Sequence, residues 1–244
     1  MSKFNESGDH GIRHDDSPEE LARKLYDDPA YFEANPRGYR DMANVARASD
    51  WHDGVVRDFV QVLPVQWKVV LDVGCATGAY MRPLHEAGAQ VHGIELSKYA
   101  ADVAAQVMGE RVHNGSARVV HGSAHDLSAF GDGSFDLYFT VETIEHVPYR
   151  YHLAMLREAF RVLKPRGVAY VQGQIGVKDY LMPHPGDDAG HIAVFPEGYW
   201  RDMLRHVGFA LDDVDAQLAQ LNQKLGARPW WRRYGWRYLF ARKP

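Results

Sequence analysis

Glu142, Glu145 and His146 fall within five residues, in Val141-Glu142-Thr143-Ile144-Glu145-His146-Val147. Two carboxylates beside an imidazole support three kinds of role. His146 can take a proton as a general base, because its ordinary pKa lies near neutrality and a neighbour such as Glu145 can orient the ring. The same groups can instead pack against or cap the helix that follows. In a third reading Glu142, Glu145 and His146 offer two hard oxygens and one imidazole to Mg²⁺ or Mn²⁺, with His191 completing the set. The base and metal readings exclude each other at His146, since a ligated imidazole cannot abstract a proton. All three stay open on the sequence. The catalytic candidates carried forward are His146, Glu145 and His191, and no metal ligand is assigned.

A second constellation suits a ligand that is bound rather than changed. Asp72-Val73-Gly74-Cys75-Ala76-Thr77-Gly78 follows a β-branched run and precedes a helical stretch. Its glycines permit a tight turn and a close approach of ligand to backbone. It is not the dinucleotide fingerprint, which needs glycine where Ala76 stands. Glu95 ends the next strand, where a carboxylate can accept from both hydroxyls of a ribose.

These residues need elements to hold them. Short β-branched runs at 69–73, 91–95, 118–121, 135–139 and 168–171 alternate with helical stretches after Gly78, at 97–107 and at 149–163. That alternation predicts a parallel sheet covered on both faces, with ligands at the strand C-termini. Residues 174–195, with Pro183, Pro185, Gly186 and Gly190, are too long for a plain connection and read as a binding loop. Beyond it the sequence predicts a helix over 197–206 and strands near 210–214 and 237–241.

Residues 1–16 read as a disordered tip, where His10 and His14 are not expected to bind metal. Residues 17–64 read as a helical lid or substrate-side segment, with Tyr26, Tyr31 and Tyr39 either over the site or in the core, and residues 65–244 as the main domain. Arg228-Pro229-Trp230-Trp231-Arg232-Arg233 reads as a hairpin into the last strand, with solvated arginines and buried tryptophans.

Composition narrows the function. The 244 residues are 45% hydrophobic and 25% charged, with a formal net charge of −4. A mildly acidic chain offers no broad positive field for nucleic acid. One cysteine, Cys75, excludes an internal disulfide and thiolate-rich zinc sites, which fits a cytoplasmic location. No apolar run reaches the length of a membrane span.

Taken in order, the motifs resemble those of the class I S-adenosylmethionine (SAM)-dependent methyltransferases, including the type-11-like and ubiquinone-pathway branches. Val70 to Gly78 looks like their first motif, Gly93-Ile94-Glu95-Leu96 like their ribose-binding strand end, and Gly122-Ser123-Ala124-His125-Asp126 like their adenine region. Gly133 to Leu137 and Leu156 to Gly167 are similar to the fourth strand and to the helix and turn before the fifth. The resemblance covers about residues 67–211. It implies a Rossmann-like, doubly wound α/β fold with a mostly parallel seven-stranded sheet. It also implies SAM as cofactor, held by Asp72, Gly74, Cys75, Ala76, Gly78, Glu95, Leu96, Ser123, Ala124 and Thr140. The implied reaction is methyl transfer to O or N of a small-molecule acceptor, in small-molecule or natural-product biosynthesis. His146 and its neighbours would then stand beside the reacting methyl, and His191 would line the acceptor pocket. Two departures stand out: Ala76 replaces the middle glycine, and Ser123 replaces the usual adenine-edge aspartate. The alternatives are a metal-assisted O-methyltransferase on a catechol-like or RNA 3′-terminal diol, and a SAM-fold scaffold without activity.

Overall fold

The structure, a computed structural model, describes residues 11–13, 15–33, 45–175, 190–211, 219–220, 223 and 237–244. Tyr39, His10, His14 and the segment Arg228–Arg233 lie outside them, as do residues 176–189 of the expected binding loop.

Helix α1 (Pro18–Leu21) starts as its sequence directs. Ser17 caps it, the Ser17 hydroxyl accepting from Glu20 N while Glu20 accepts from Ser17 N, and Pro18 occupies the first turn. A π-helical turn over Ala22–Tyr26 follows, then α2 (Pro29–Glu33) and α3 (Val45–Val60). Order also reaches into the expected disordered tip. Asp16 is buried and accepts from Lys24 Nζ at 2.7 Å, and Lys24 also donates to Gly11 O. A buried carboxylate with a lysine partner anchors a stretch that composition alone assigns to solvent.

The main body alternates strand and helix: β1 (Val69–Val73), α4 (Met81–Glu86), β2 (Gln90–Glu95), α5 (Lys98–Met108), α6 (Glu110–His113), β3 (Ala117–His121) and β4 (Phe135–Val141). Then come α7 (His152–Val162), β5 (Leu163–Gly173), α8 (Glu197–Val207) and β6 (Arg237–Arg242). The sheet order is β3-β2-β1-β4-β5-β6, parallel except for β6. The first crossover chain runs outward through β2 and β3, and β4 then returns to the other side of β1. The strand order reverses between β1 and β4, where open α/β sheets bind ligands.

Two apolar layers sandwich the sheet. Val70, Phe139 and Tyr170 pack under Phe59 of α3 and Met81 and Leu84 of α4. Leu71, Tyr138 and Ala169 pack against Met155, Leu156 and Ala159 of α7 and Trp200 of α8. Strands buried on both faces explain the continuous apolar runs in the sequence. The α/β class and the parallel core agree with expectation; the strand count does not. Of the strand expected at 210–214, a single antiparallel bridge between Ala210 and Arg242 is present, and residues 212–214 lie outside the described residues. The helix expected from Tyr149 is also divided: Pro148 precedes a 3₁₀ turn (Tyr149–Tyr151) before α7 starts.

Candidate active site

The glycine turn is set at the end of β1 by its backbone. Gly74 and Cys75 donate to Ile94 O at 2.9 and 3.2 Å, tying the turn to β2. Gly74 has φ 72° and Gly78 φ 82°, which suit glycine. A Cβ at Gly74 would also run into the Thr143 side chain, so this position needs glycine on two counts. Ala76 adopts φ 46°, a left-handed conformation that few side chains take. It presents its N–H to Glu95 Oε2 at 2.8 Å.

Glu95 is buried at the end of β2, and its other oxygen accepts from Ser97 N at 2.8 Å. Burial raises its carboxyl above the usual range, and those two N–H groups pull it partly back. Asp72 lies close by with its Oδ2 buried and unpartnered, and burial first, then the Glu95 charge, hold its carboxyl well above normal. Asp72 is a desolvated acceptor in need of a donor, beside a Glu95 that already accepts from two backbone N–H groups.

Not every expected contact faces this cleft. The Thr140 hydroxyl is fully buried and donates to Val73 O at 3.0 Å, joining β4 to β1, so its side chain has no part in the cleft. The Cys75 thiol is buried beneath Gly93 and Met81, leaving only its backbone. Leu96 packs toward Tyr26 and Tyr31, and Ala124 packs against the α7 layer. Ser123 is half-buried just past β3, with its hydroxyl 2.6 Å from His125 Nδ1.

At the neighbouring edge, a 3₁₀ turn over Ile144–His146 follows β4. Glu145 is buried; Oε1 accepts from Gln174 N at 2.9 Å, while Oε2 has no partner among the described residues. Its carbonyl accepts from Ile192 N and Ala193 N, docking the 190–193 segment onto the turn. His191 thereby comes to 4.9 Å from His146, ring centre to ring centre. One ligand-type atom from each of Glu145, His146 and His191 lies within 4.8 Å of the others. Glu142, at φ 54°, is not in that group.

Tyr26 completes the edge. Its hydroxyl sits 3.2 Å from His146 Nδ1, and Leu21, Leu25 and Tyr26 pack on Ile192 and Ala193. The sequence places Tyr26 in a lid but gives no sign of its partner. Gly190 supplies a partial signal, since a Cβ there would strike His146 Nδ1 and the Tyr26 hydroxyl.

Residues 71–171 match the model of a methyltransferase domain family. Over that stretch the chain is similar to class I methyltransferase domains. It is 30% identical over 167 residues to the O-methyltransferase cnsE of Penicillium expansum, spanning 64% of this chain and 56% of that protein. It is 34% identical over 120 residues to a ubiquinone biosynthesis O-methyltransferase of Thiobacillus denitrificans, spanning 49% of this chain and 50% of the relative. The chain thus spans about half the length of these curated relatives. The crystal structure of the [4+2]-cyclase SpnF shares the fold, with a TM-score of 0.62 and 21% identity over 94% of this chain and 97% of that one.

The family and fold of this methyltransferase domain imply SAM, and the cleft suits it. SAM carries two ribose hydroxyls and an ammonium group. Glu95 and the unpartnered Asp72 are the kind of acceptors such donors require.

Proposed function

We propose that this protein transfers the methyl group of SAM to an oxygen of a small-molecule acceptor. The observation that carries this reading is the shared sheet edge: the acid pair Asp72 and Glu95 stands on the β1–β2 side, and Glu145, His146 and His191 stand on the β4–β5 side. In this reading Gly74, Ala76 and Gly78 bring backbone close to the cofactor, Glu95 takes the ribose hydroxyls, and Ser123 takes the adenine edge. Bound SAM supplies a sulfonium methyl with an excellent leaving group. The protein's task is alignment, exclusion of water and removal of the acceptor's proton. His146 accepts that proton as the acceptor oxygen attacks, while Tyr26 holds the ring at Nδ1. The N-terminal segment and residues 190–193 close over the reacting atoms. O-methyltransferase relatives support oxygen as the acceptor atom.

One observation favours a second reading. Glu145 offers a carboxylate oxygen within 4.8 Å of ligand atoms of His146 and His191, its Oε2 is buried without a partner among the described residues, and this donor set suits a hard divalent cation. Such an ion would lower the pKa of an acceptor hydroxyl and make a histidine base unnecessary.

No helix among the described residues is long and apolar enough to cross a membrane. We place the enzyme in the cytoplasm on the strength of its single, buried cysteine.

The test has two stages. Calorimetry with S-adenosylhomocysteine should show binding; none would end the cofactor reading and leave a scaffold. Methyl-labelled SAM should then transfer label to members of a phenol and catechol panel, with EDTA leaving the rate unchanged. Loss with EDTA and rescue by Mg²⁺ or Mn²⁺ would establish the second reading.

A further inference from the structure

Ser123 is one of the two places where this chain departs from its family's pattern, and it has a partner. Gly122 N donates to Glu95 O at 2.8 Å, so the end of β3 is tied to the end of β2. Ser123 therefore emerges at the same edge as the ribose acid. Its hydroxyl lies 2.6 Å from Nδ1 of His125, two residues on. The His125 ring rests on Tyr151 at 4.4 Å, with 40° between the planes. Tyr151 comes from the 3₁₀ turn before α7, and the Arg150 guanidinium lies 5.1 Å from its ring centre. Two loops from different strands thus fix the imidazole.

We propose that Ser123 and His125 form a two-residue reader of the cofactor's adenine, the hydroxyl contacting the 6-amino edge and the imidazole setting which way that hydroxyl points. This rests on the SAM reading above. With His125 neutral and its proton on Nε2, Ser123 donates to Nδ1 and turns its lone pairs outward. Those lone pairs accept from an amino group, as an aspartate would. When His125 gains a proton, Nδ1–H donates into the Ser123 oxygen, and the hydroxyl hydrogen turns outward. A donor then meets a donor. A carboxylate at this position cannot reverse in this way, so the departure at Ser123 makes cofactor affinity pH-dependent through His125.

Other charges face the pair. Asp126, Arg150, Arg157, Glu158 and Arg161 line the same groove of about 750 Å³ with His125. On β3, His121 contacts Leu96 O through Nε2. Any of these can tilt a pH profile, so the test must isolate His125.

The full-length protein is titrated calorimetrically with S-adenosylhomocysteine and with its 6-oxo counterpart, S-inosylhomocysteine, between pH 8 and pH 5.5. One hydrogen bond gained or lost corresponds to roughly a five- to tenfold change in Kd. Affinity for S-adenosylhomocysteine should weaken by about that factor toward acid, and affinity for the 6-oxo ligand should strengthen. Opposite trends on the unmodified chain need no variant and cannot come from a general electrostatic change. His125→Gln should flatten the difference between the two ligands. Ser123→Ala should weaken S-adenosylhomocysteine at pH 8 with the melting temperature unchanged. Parallel pH trends for the two ligands, or a His125→Gln chain that keeps the opposition, would overturn the proposal. Failure of the unmodified chain to bind either ligand would overturn the SAM reading itself, and this one with it.

Discussion

The two halves of the site are built by different means. On the β1–β2 side the parts are nearly contiguous: Asp72, the turn from Gly74 to Gly78, and Glu95, which closes on Ala76 N across a single βαβ unit. On the β4–β5 side they come from far apart. Tyr26 meets His146 across 120 positions, and Glu145 holds Ile192 and Ala193 through its carbonyl. The cofactor half is specified by backbone conformation. The acceptor half is specified by side chains that only tertiary packing brings together. A family can therefore keep the first half while varying the second, and the matched region, residues 71–171, includes Glu145 and His146 but neither Tyr26 nor His191.

If that division is right, the largest effect on turnover should come from the acceptor half without disturbing the cofactor half. His146→Ala should lower kcat by ~10²–10⁴ with the acceptor found in the panel, because one positioned base contributes about that much. Calorimetric affinity for S-adenosylhomocysteine should stay within a factor of two or so. A kcat close to that of the unmodified chain would leave alignment alone as the source of catalysis. A parallel collapse of cofactor affinity would show that the halves are not separable.

The acceptor half also depends on a buried histidine. His152 places Nε2 2.8 Å from Val147 O and Nδ1 3.0 Å from the Tyr199 hydroxyl, and its ring lies on Trp200. It thus joins the loop after the 3₁₀ turn to α8. Burial pushes its pKa down to about 4, so the folded state favours the neutral ring. Its contribution is complete above the unfolded value of about 6.5 and is lost as the pH falls from there toward 4. We expect roughly 2–3 kcal/mol of stability to disappear over that window. Thermal melts of the parent and of His152→Gln should converge as the pH falls. Parallel melting curves across the window would exclude His152 as the cause.

Glu95→Ala tests the other half. Losing a carboxylate contact to a ribose diol should cost about 1.5–3 kcal/mol, a ten- to hundredfold rise in Kd for S-adenosylhomocysteine. An intact fold with unchanged affinity would remove Glu95 from the ribose.

The same division decides what could be read from the sequence. The glycine turn, the acid at position 95 and the succession of strands along the chain were legible because each is written in local pattern: glycine where φ is positive, acid at a strand end, and apolar runs of strand length. The group Glu145, His146 and His191 was legible as a set of residue types, and the structure gathers these three without Glu142. Tyr26 at Nδ1 of His146 was not legible, since nothing near either residue encodes a partner so distant. The place of Thr140 at the end of β4 was legible, but not its side-chain bond: its hydroxyl and that of Thr143 both donate to Val73 O, and Thr143 also lies against Gly74.

The smallest expected effect has an opposite sign and bears on why the cofactor half is built as it is. Asp72 is buried with an oxygen that no group among the described residues satisfies, and its carboxyl is raised by burial and by Glu95. A raised carboxyl favours the protonated form in the folded state. Its burden on stability is therefore absent below the unfolded value of about 3.9 and grows as the pH rises through the folded value. The cofactor half thus holds a buried acid beside Glu95 whose free oxygen waits for a donor. Asp72→Asn should accordingly stabilise the ligand-free protein at pH 7–8, by about 1 kcal/mol or 2–4 °C in Tm for a chain of this size. Calorimetric affinity for S-adenosylhomocysteine should fall in the same variant, since a neutral amide with one acceptor oxygen replaces the carboxylate. A destabilised Asp72→Asn chain at pH 8 would instead mean that Asp72 holds the turn in place, and that the strain ascribed to the cofactor half is not there.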